Sequence, residues 1–172
     1  MRDRVIRDEI HRDVLVPAHH ARIIDTHEFQ RLRNIQQLST CEFVFPSATH
    51  TRFAHSLGAY FLAGELTSSL QEVQPGLLSD SDAELVQIGA LLHDIGHPPY
   101  SHLLETPEVF ATFHSHEHWG RVLLESEDSE IGQVLADVLG EERKQRLFAL
   151  LDGQNECNGV PIAPFLKEII SS

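Results

Sequence analysis

"DAELVQIGALLHDIGHPPYSH", residues 82–102, decides the fold that we expect for this chain of 172 residues. Its first half is apolar almost all round, which is typical of a helix in the middle of a helical bundle. The helix reaches His93 and Asp94, and the glycine and prolines that follow end it. Two polar side chains at the end of a buried helix are costly unless something satisfies them.

The segments on either side of this helix also have helical periodicity. We therefore predict one all-α domain over residues 1–172, a bundle of six or more helices. Near the N-terminus, "RVIRD" and "DVLVP" can form a small β-hairpin. Two cysteines are too few for a disulfide framework.

Several local features of the bundle can be predicted. One helix should run through "HEFQRLRNIQQL" with an apolar face of Phe29, Leu32, Ile35 and Leu38. A second should run through "TRFAHSLGAYFLAGELTSSL" with Phe53, Leu57, Tyr60 and Leu66 facing inward. Ser81 and Glu84 form a capping box before the central helix, and Gly140 ends a later one.

Charge and hydropathy exclude some classes of protein. The formal net charge is −13, so wrapping nucleic acid is not the expected main role. Residues 1–60 hold 8 Lys and Arg against 7 Asp and Glu, so phosphate contacts should come mostly from this part. The charged N-terminus resembles no signal peptide, and no apolar run reaches the ~18 residues of a membrane span. We expect a cytoplasmic protein.

A divalent cation would satisfy the polar end of the central helix. The partial negative charge of a helix C-terminus favours a cation beside His93 and Asp94. The alternative is that the pair only hydrogen-bonds locally as a helix cap. Two other predicted helices present histidine as well: His55 lies one turn after Arg52, and another begins with His116 and its neighbouring glutamate. Three helices that each present histidine favour a site.

Four blocks in this order carry a more specific resemblance: "IIDTHEFQRLRNIQQL", "VFPSATHTRFAHSLG", "LLHDIGHPPYSH" and "HSHEHWG". The chain resembles the HD-domain phosphohydrolases, in their deoxynucleoside triphosphate triphosphohydrolase branch, from about residue 5 to its end. The resemblance implies an HD-domain helical bundle that hydrolyses a (deoxy)nucleoside triphosphate to nucleoside and triphosphate. It also implies a homo-oligomer and a nucleotide as the partner.

The resemblance assigns roles to individual residues. His55, His93 and Asp94 match three of the four metal ligands, for Mn, Fe, Ni, Zn or, less well, Mg. Such an ion polarises the phosphoryl oxygen and lowers the pKa of a bound water. The residues that match catalytic positions around the phosphates are His97, His102, Glu105, His116 and Glu117. Those that match substrate-binding positions are Arg52, Gln37 and Leu38, and Tyr100 packs beside the site or touches the base or sugar.

The family's fourth metal ligand is an aspartate in a block that usually follows a segment like "PFLKEIISS". This chain stops at Ser172, so we expect a fragment that lacks that ligand, and we do not accept Asp152 as its substitute. Three alternatives to a triphosphohydrolase stay open. They are a nucleotide-binding or regulatory module without turnover, a hydrolase of another nucleotide (a monophosphate, (p)ppGpp or a cyclic dinucleotide), and a plain helical interaction domain.

Other residues are expected to have no role in the site. His19 and His20 precede a helix and should be exposed, as should His27. Trp119 and Phe113 should anchor the core. "GVPIAP" is expected to be a turn.

Overall fold

A computed structural model describes residues 2–100 and 114–170, and it has the predicted all-α fold with a small N-terminal hairpin. The α-helices of the described part are α1 (Ala18–Ile24), α2 (His27–Gln30), α3 (Arg52–Val73), α4 (Asp80–Leu92), α5 (His116–Glu125), α6 (Glu130–Leu151) and α7 (Pro164–Ile170). The strands are β1 (Arg4–Asp8), β2 (Arg12–Val16), β3 (Glu156–Cys157) and β4 (Val160–Pro161), and short 3-10 helices cover Arg31–Asn34 and Cys41–Phe43.

The N-terminal hairpin pairs β1 with β2 in antiparallel register, from Arg4 opposite Val16 to Asp8 opposite Arg12. The Asp8 carboxylate accepts hydrogen bonds from the backbone N–H groups of Ile10 and His11, at 2.9 and 2.8 Å. Such a side-chain bond to the backbone favours a turn. Val16 is buried in the core, so the hairpin lies against the bundle.

Helices α3 and α4 form the centre of the bundle, as their apolar sequences predict. Side chains buried from these two helices include Phe53, Leu57, Tyr60, Leu85, Val86, Ile88, Leu91 and Leu92. The predicted cap at Ser81 is wrong by two residues. Ser79 is the N-cap, and its side chain accepts a hydrogen bond from the N–H of Asp82 at 3.0 Å.

The predicted helix through residues 27–38 is much shorter. It ends as a 3-10 turn, and Ile35 is extended. The carbonyl of Ile35 accepts the N–H of Arg52, and Gln37 donates its N–H to His50. The backbone therefore pairs with the segment before α3 instead of continuing the helix. This pairing leaves Leu38 45% exposed, so it is not on a buried face.

Three other predictions, each about whether a side chain is buried, are wrong. Leu66 is exposed on α3, and Trp119 is 47% exposed beside the rings of His114 and His118. His20 was expected at the surface and is buried, at 2% exposure, because α1 packs its ring against Tyr60. The prediction for Phe113 lies outside the described residues.

The C-terminal part follows the predicted boundary at Gly140. Its φ of 70° breaks the helical path of α6 there, in a backbone region that suits glycine. Residues of the "GVPIAP" segment form strand β4, which pairs with β3, so the segment is more than a turn. Helix α7 then packs against α4 and α6, with Leu166 and Ile170 buried. In the described part of the chain no helix is long and apolar enough to span a membrane.

Candidate functional site

Three predicted metal ligands converge where α3 passes the end of α4. His55 lies on α3, His93 is the C-cap of α4, and Asp94 follows it. The Nε2 atoms of His55 and His93 lie 3.2 Å apart, and the Asp94 carboxylate lies 3.6 and 3.5 Å from them. Ligand atoms held by metal bonds of about 2.0–2.2 Å lie about 3.0–3.6 Å from one another. This group, called the HD group below, is therefore spaced to hold a divalent ion.

The orientation of His93 also suits a metal ligand. Its Nδ1 lies 2.8 Å from the carbonyl oxygen of Ala90, one turn earlier in α4. A carbonyl accepts only, so Nδ1 carries the proton and the lone pair of Nε2 is directed at the group. Metal-bound histidines are commonly oriented in this way by a hydrogen bond from the other ring nitrogen.

Arg52 and Asp94 form a buried ion pair beside the HD group. The two side chains are 3% and 7% exposed, and the guanidinium lies 2.5 Å from Oδ2. Burial alone would raise the pKa of Asp94, but the hydrogen bond from His97 and the neighbouring cationic groups outweigh it. The pKa of Asp94 therefore lies well below its usual range, and the carboxylate stays charged at neutral pH.

A second set of side chains extends from Asp94 toward α5. The Nε2 of buried His97 lies 3.3 Å from Oδ1 of Asp94. The ring of His97 stacks on His116 with centroids 3.8 Å apart and planes 14° from parallel. His116 in turn lies 3.3 Å from the Glu117 carboxylate. Burial lowers the pKa of His97, which keeps its ring neutral at pH 7.

Gly96 fixes the position of α5 against this set. A Cβ atom at Gly96 would lie 2.0 Å from the carbonyl oxygen of His116 and 2.2 Å from the N of Gly120. Both are backbone atoms, so they cannot rotate away. The absence of a side chain at Gly96 therefore allows the close contact that brings His116 to His97.

Sequence reasoning missed Arg31. Its guanidinium donates hydrogen bonds to the carbonyl oxygens of Ile95 and His97, at 2.5 and 2.8 Å. These carbonyls belong to the turn that carries Asp94 and His97. Arg31 lies within the first of the four sequence blocks, but nothing in that block indicates this role.

A cavity of about 610 Å³ opens onto the HD group. Its lining includes most of the predicted site residues: Gln37, Leu38, Arg52, His55, His93, Asp94, His97, His116 and Glu117. The buried Oε1 of Gln37 has no hydrogen-bond partner among the described residues. Lys167 of α7 also lines the cavity, and the sequence had not indicated it.

The remaining residues considered in the sequence analysis are Tyr100, His102, Glu105 and Asp152. Tyr100 is exposed with a φ of 65°, and it is not among the described residues that line the cavity. His102 and Glu105 lie outside the described residues. Asp152 lines the cavity, where its carboxylate accepts a hydrogen bond from Arg121 at 2.9 Å. It does not join the HD group, whose described members supply three ligands.

Comparison with known proteins agrees with this geometry. The model of the HD domain family matches residues 52–152. A protein of Methanocaldococcus jannaschii described as uncharacterized is 47% identical over 118 residues, which cover 69% of this chain and 23% of that protein. The deoxynucleoside triphosphate triphosphohydrolase SAMHD1 of Homo sapiens and that of Bos taurus are each 50% identical over 103 residues, 59% of this chain.

The chain spans only 16% and 18% of the human and bovine SAMHD1 proteins, so the similarity concerns the HD region. The matched range begins at Arg52 and includes the whole HD group. The resemblance predicted from the four sequence blocks is confirmed by this match over more than half of the chain. The chain belongs to the HD-domain family.

Proposed function

We propose that this chain carries the active-site region of a metal-dependent phosphohydrolase that converts (deoxy)nucleoside triphosphates to nucleoside and triphosphate. One observation carries the proposal. The Nε2 atoms of His55 and His93 lie 3.2 Å apart, and the two Asp94 carboxylate oxygens lie 3.6 and 3.5 Å from them, beside a cavity lined by Arg52 and two further histidines. The similarity to SAMHD1 supports a deoxynucleoside triphosphate as the substrate.

The HD group would hold the ion through two imidazole nitrogens and one carboxylate. This donor set suits Mn²⁺, Fe²⁺, Ni²⁺ or Zn²⁺ better than Mg²⁺. When bound, such an ion supplies Lewis-acid polarisation of a phosphoryl oxygen and a more acidic water. Arg52 keeps the Asp94 carboxylate in place, and its guanidinium lines the cavity where phosphate oxygens would lie.

The His116–Glu117 pair is assigned to the leaving group. Water attacks the α-phosphorus, the bond from that phosphorus to the sugar O5′ breaks, and O5′ takes up a proton. The proton that the attacking water loses passes to solvent, from which the proton donor is restored. His116 is the donor of the proton to O5′, and Glu117, 3.3 Å from its Nε2, orients the imidazole. His97 connects this pair to the HD group, because its ring stacks on His116 and its Nε2 lies 3.3 Å from Asp94.

Substrate contacts are assigned along the cavity wall. Gln37 and Leu38, which line the cavity, would contact the sugar. Tyr100 remains a proposed contact to base or sugar, and His102 and Glu105 remain proposed catalytic residues. We further propose, from the resemblance, a homo-oligomer in the cytoplasm.

The products of hydrolysis test the proposal. The 172-residue chain is incubated with Mn²⁺ and each of the four deoxynucleoside triphosphates, and products are separated by anion-exchange chromatography. We expect deoxynucleoside and triphosphate in equal amounts. Orthophosphate or pyrophosphate as the product would contradict cleavage at O5′. Nucleotide binding without any product, measured by calorimetry, would favour the alternative of a binding or regulatory module, which the three-ligand HD group makes the second candidate.

A further inference from the structure

A second cluster of metal-binding side chains lies near the beginning of α4. His19 and His20 of α1 meet Glu84 of α4. The Nε2 atoms of the two histidines lie 2.8 and 3.1 Å from the same carboxylate oxygen, Oε1. The three ligand atoms all lie within 4.8 Å of one another. We call these residues the α1–α4 cluster; the proposed hydrolysis uses none of them.

The α1–α4 cluster has the same composition as the HD group. Each contains two imidazoles and one carboxylate, and in each a guanidinium lies 2.5 Å from the carboxylate: Arg52 at Asp94 and Arg143 at Glu84. Arg143 contacts Oε2, so Oε1 faces the histidines. The arrangement here is therefore the same as the one that we propose to hold a metal in the HD group.

The histidines of the α1–α4 cluster are placed as a fixed ligand and a movable one. The Nδ1 of buried His20 lies 2.8 Å from the Tyr60 hydroxyl, which leaves Nε2 directed at Glu84. Metal-bound histidines are commonly oriented by such a hydrogen bond, made by the ring nitrogen that does not bind the metal. His19 is 49% exposed, so its ring can move outward. A shift of about 0.5 Å would open the present 2.8 Å contact to the spacing of two ligands around one ion.

The surroundings of Glu84 favour a cation. A cavity of about 510 Å³ beside it is lined by four carboxylates, and no Lys or Arg is among its described lining residues. The lining carboxylates are Asp13, Glu65, Asp80 and Glu84. Arg143 pairs with Glu84 and Arg7 pairs with Asp13. The negative charge of Glu65 and Asp80 therefore attracts cations toward the cluster. Imidazole ligands favour Zn²⁺ and its neighbours over Mg²⁺ or Ca²⁺.

We propose that His19, His20 and Glu84 form a second metal site, specific for a transition ion such as Zn²⁺, that is separate from the HD group and fastens α1 to α4. The competing explanation is a plain hydrogen-bond network, in which Glu84 accepts an N–H from each histidine. The two explanations differ in one measurable quantity, the number of ions that each chain binds.

Zn²⁺ titration by isothermal calorimetry tests the proposal on the wild-type chain and on His19→Ala. His19 is half-exposed, so its removal leaves the core intact, which circular dichroism checks. The matched control is His27→Ala, because His27 contacts one carboxylate, that of Glu130, at 2.6 Å and belongs to none of the described three-ligand groups.

We expect His19→Ala to bind one Zn²⁺ fewer per chain than both the wild type and His27→Ala. Loss of an outer hydrogen-bond partner weakens metal binding about 10–100-fold, so loss of a direct ligand should weaken it at least ~100-fold. Equal Zn²⁺ stoichiometry and affinity in all three proteins would overturn the proposal. The result does not depend on whether the HD group is occupied, because only the difference between proteins counts.

Discussion

Helix α4 carries a histidine–carboxylate cluster near each end, and the two differ in how the sequence encodes them. Glu84 and Asp94 are ten residues apart, about 15 Å along a helix. Each contacts a guanidinium, and Glu84 contacts two histidines whereas Asp94 contacts three. In the HD group two of the three ligands are adjacent in the sequence, within a block that the family shares. In the α1–α4 cluster, Glu84 meets histidines that are 64 and 65 residues away. A motif indicates the first arrangement, whereas only the packing of α1 on α4 creates the second.

The largest effect is expected from removing the negative charge of Asp94 while Glu84 is kept. Asp94→Asn removes a metal ligand, and we expect triphosphate release to fall about 10³-fold or more, since such an ion contributes several kcal/mol. The substitution also removes a buried ionic partner of Arg52, which should cost about 3–5 kcal/mol of unfolding free energy. Urea denaturation and product assays measure the two effects.

The matched control for this variant is Asp137→Asn, which removes an exposed carboxylate paired with Arg22. It should change unfolding free energy by less than about 1 kcal/mol and leave activity unchanged. Equal activity in Asp94→Asn and Asp137→Asn would contradict the assignment of the HD group.

A smaller effect is expected where the HD group meets α5. In Gly96→Ala the new methyl group collides with backbone atoms of His116 and Gly120. Overpacking of this kind costs about 1–3 kcal/mol, and the displaced His116 should lower kcat. In the control Gly64→Ala, the added carbon meets only the side chain of Gln87, which can move. If both variants kept wild-type kcat, the contact at Gly96 would have no part in placing His116.

The third prediction concerns Arg31, whose hydrogen bonds are expected to stabilise the turn after α4. Arg31→Lys keeps the charge, but one ammonium cannot reproduce the forked contact with the carbonyls of Ile95 and His97. We expect a loss of about 1–2 kcal/mol in stability and a lower kcat with little change in KM. Arg22→Lys, at a surface ion pair, is the control. A change in KM alone would place Arg31 in substrate binding instead.

The smallest effect is expected from Glu84, near the beginning of α4. Its contribution to the free energy of unfolding depends on pH. Burial alone raises the pKa of Glu84, but hydrogen bonds from Arg143, His19 and His20 lower it from 4.5 to about 2. This carboxylate therefore stabilises the fold above pH 4.5 and loses that contribution as the pH falls toward 2.

Allowing for solvent screening, we expect about 1–2 kcal/mol from Glu84. In metal-free buffer, Glu84→Gln should lower stability at pH 6 and approach the wild type near pH 2. Chemical denaturation at several pH values measures this convergence. A constant difference between the two proteins across that range would show that the effect is not electrostatic.

The contrast between local sequence patterns and long-range packing also explains which parts of the fold can be predicted from the sequence. Apolar periodicity predicts α3, α4 and the break at Gly140, because their burial repeats with helical spacing. It overextends the helix after His27, because the backbone of residues 35–37 pairs with the segment before α3. Leu38 is apolar, yet this pairing turns it toward the cavity that adjoins the HD group.

The candidate site is also predictable only in part. Sequence blocks indicate the HD group and the His116–Glu117 pair, because each contains adjacent residues within a recognisable block. They do not indicate Arg31 or Lys167, whose partners lie far along the chain or in the folded cavity. His20 fails for the same reason, since its burial depends on Tyr60, forty residues away.

An anomalous difference map from crystals grown with Mn²⁺ tests the central claim most directly. We predict a peak about 2.0–2.3 Å from Nε2 of His55, Nε2 of His93 and the Asp94 carboxylate. The same map from Asp94→Asn crystals should lack that peak. A wild-type map with Mn²⁺ bound elsewhere and no peak between these three residues would contradict the assignment of the HD group as the metal centre.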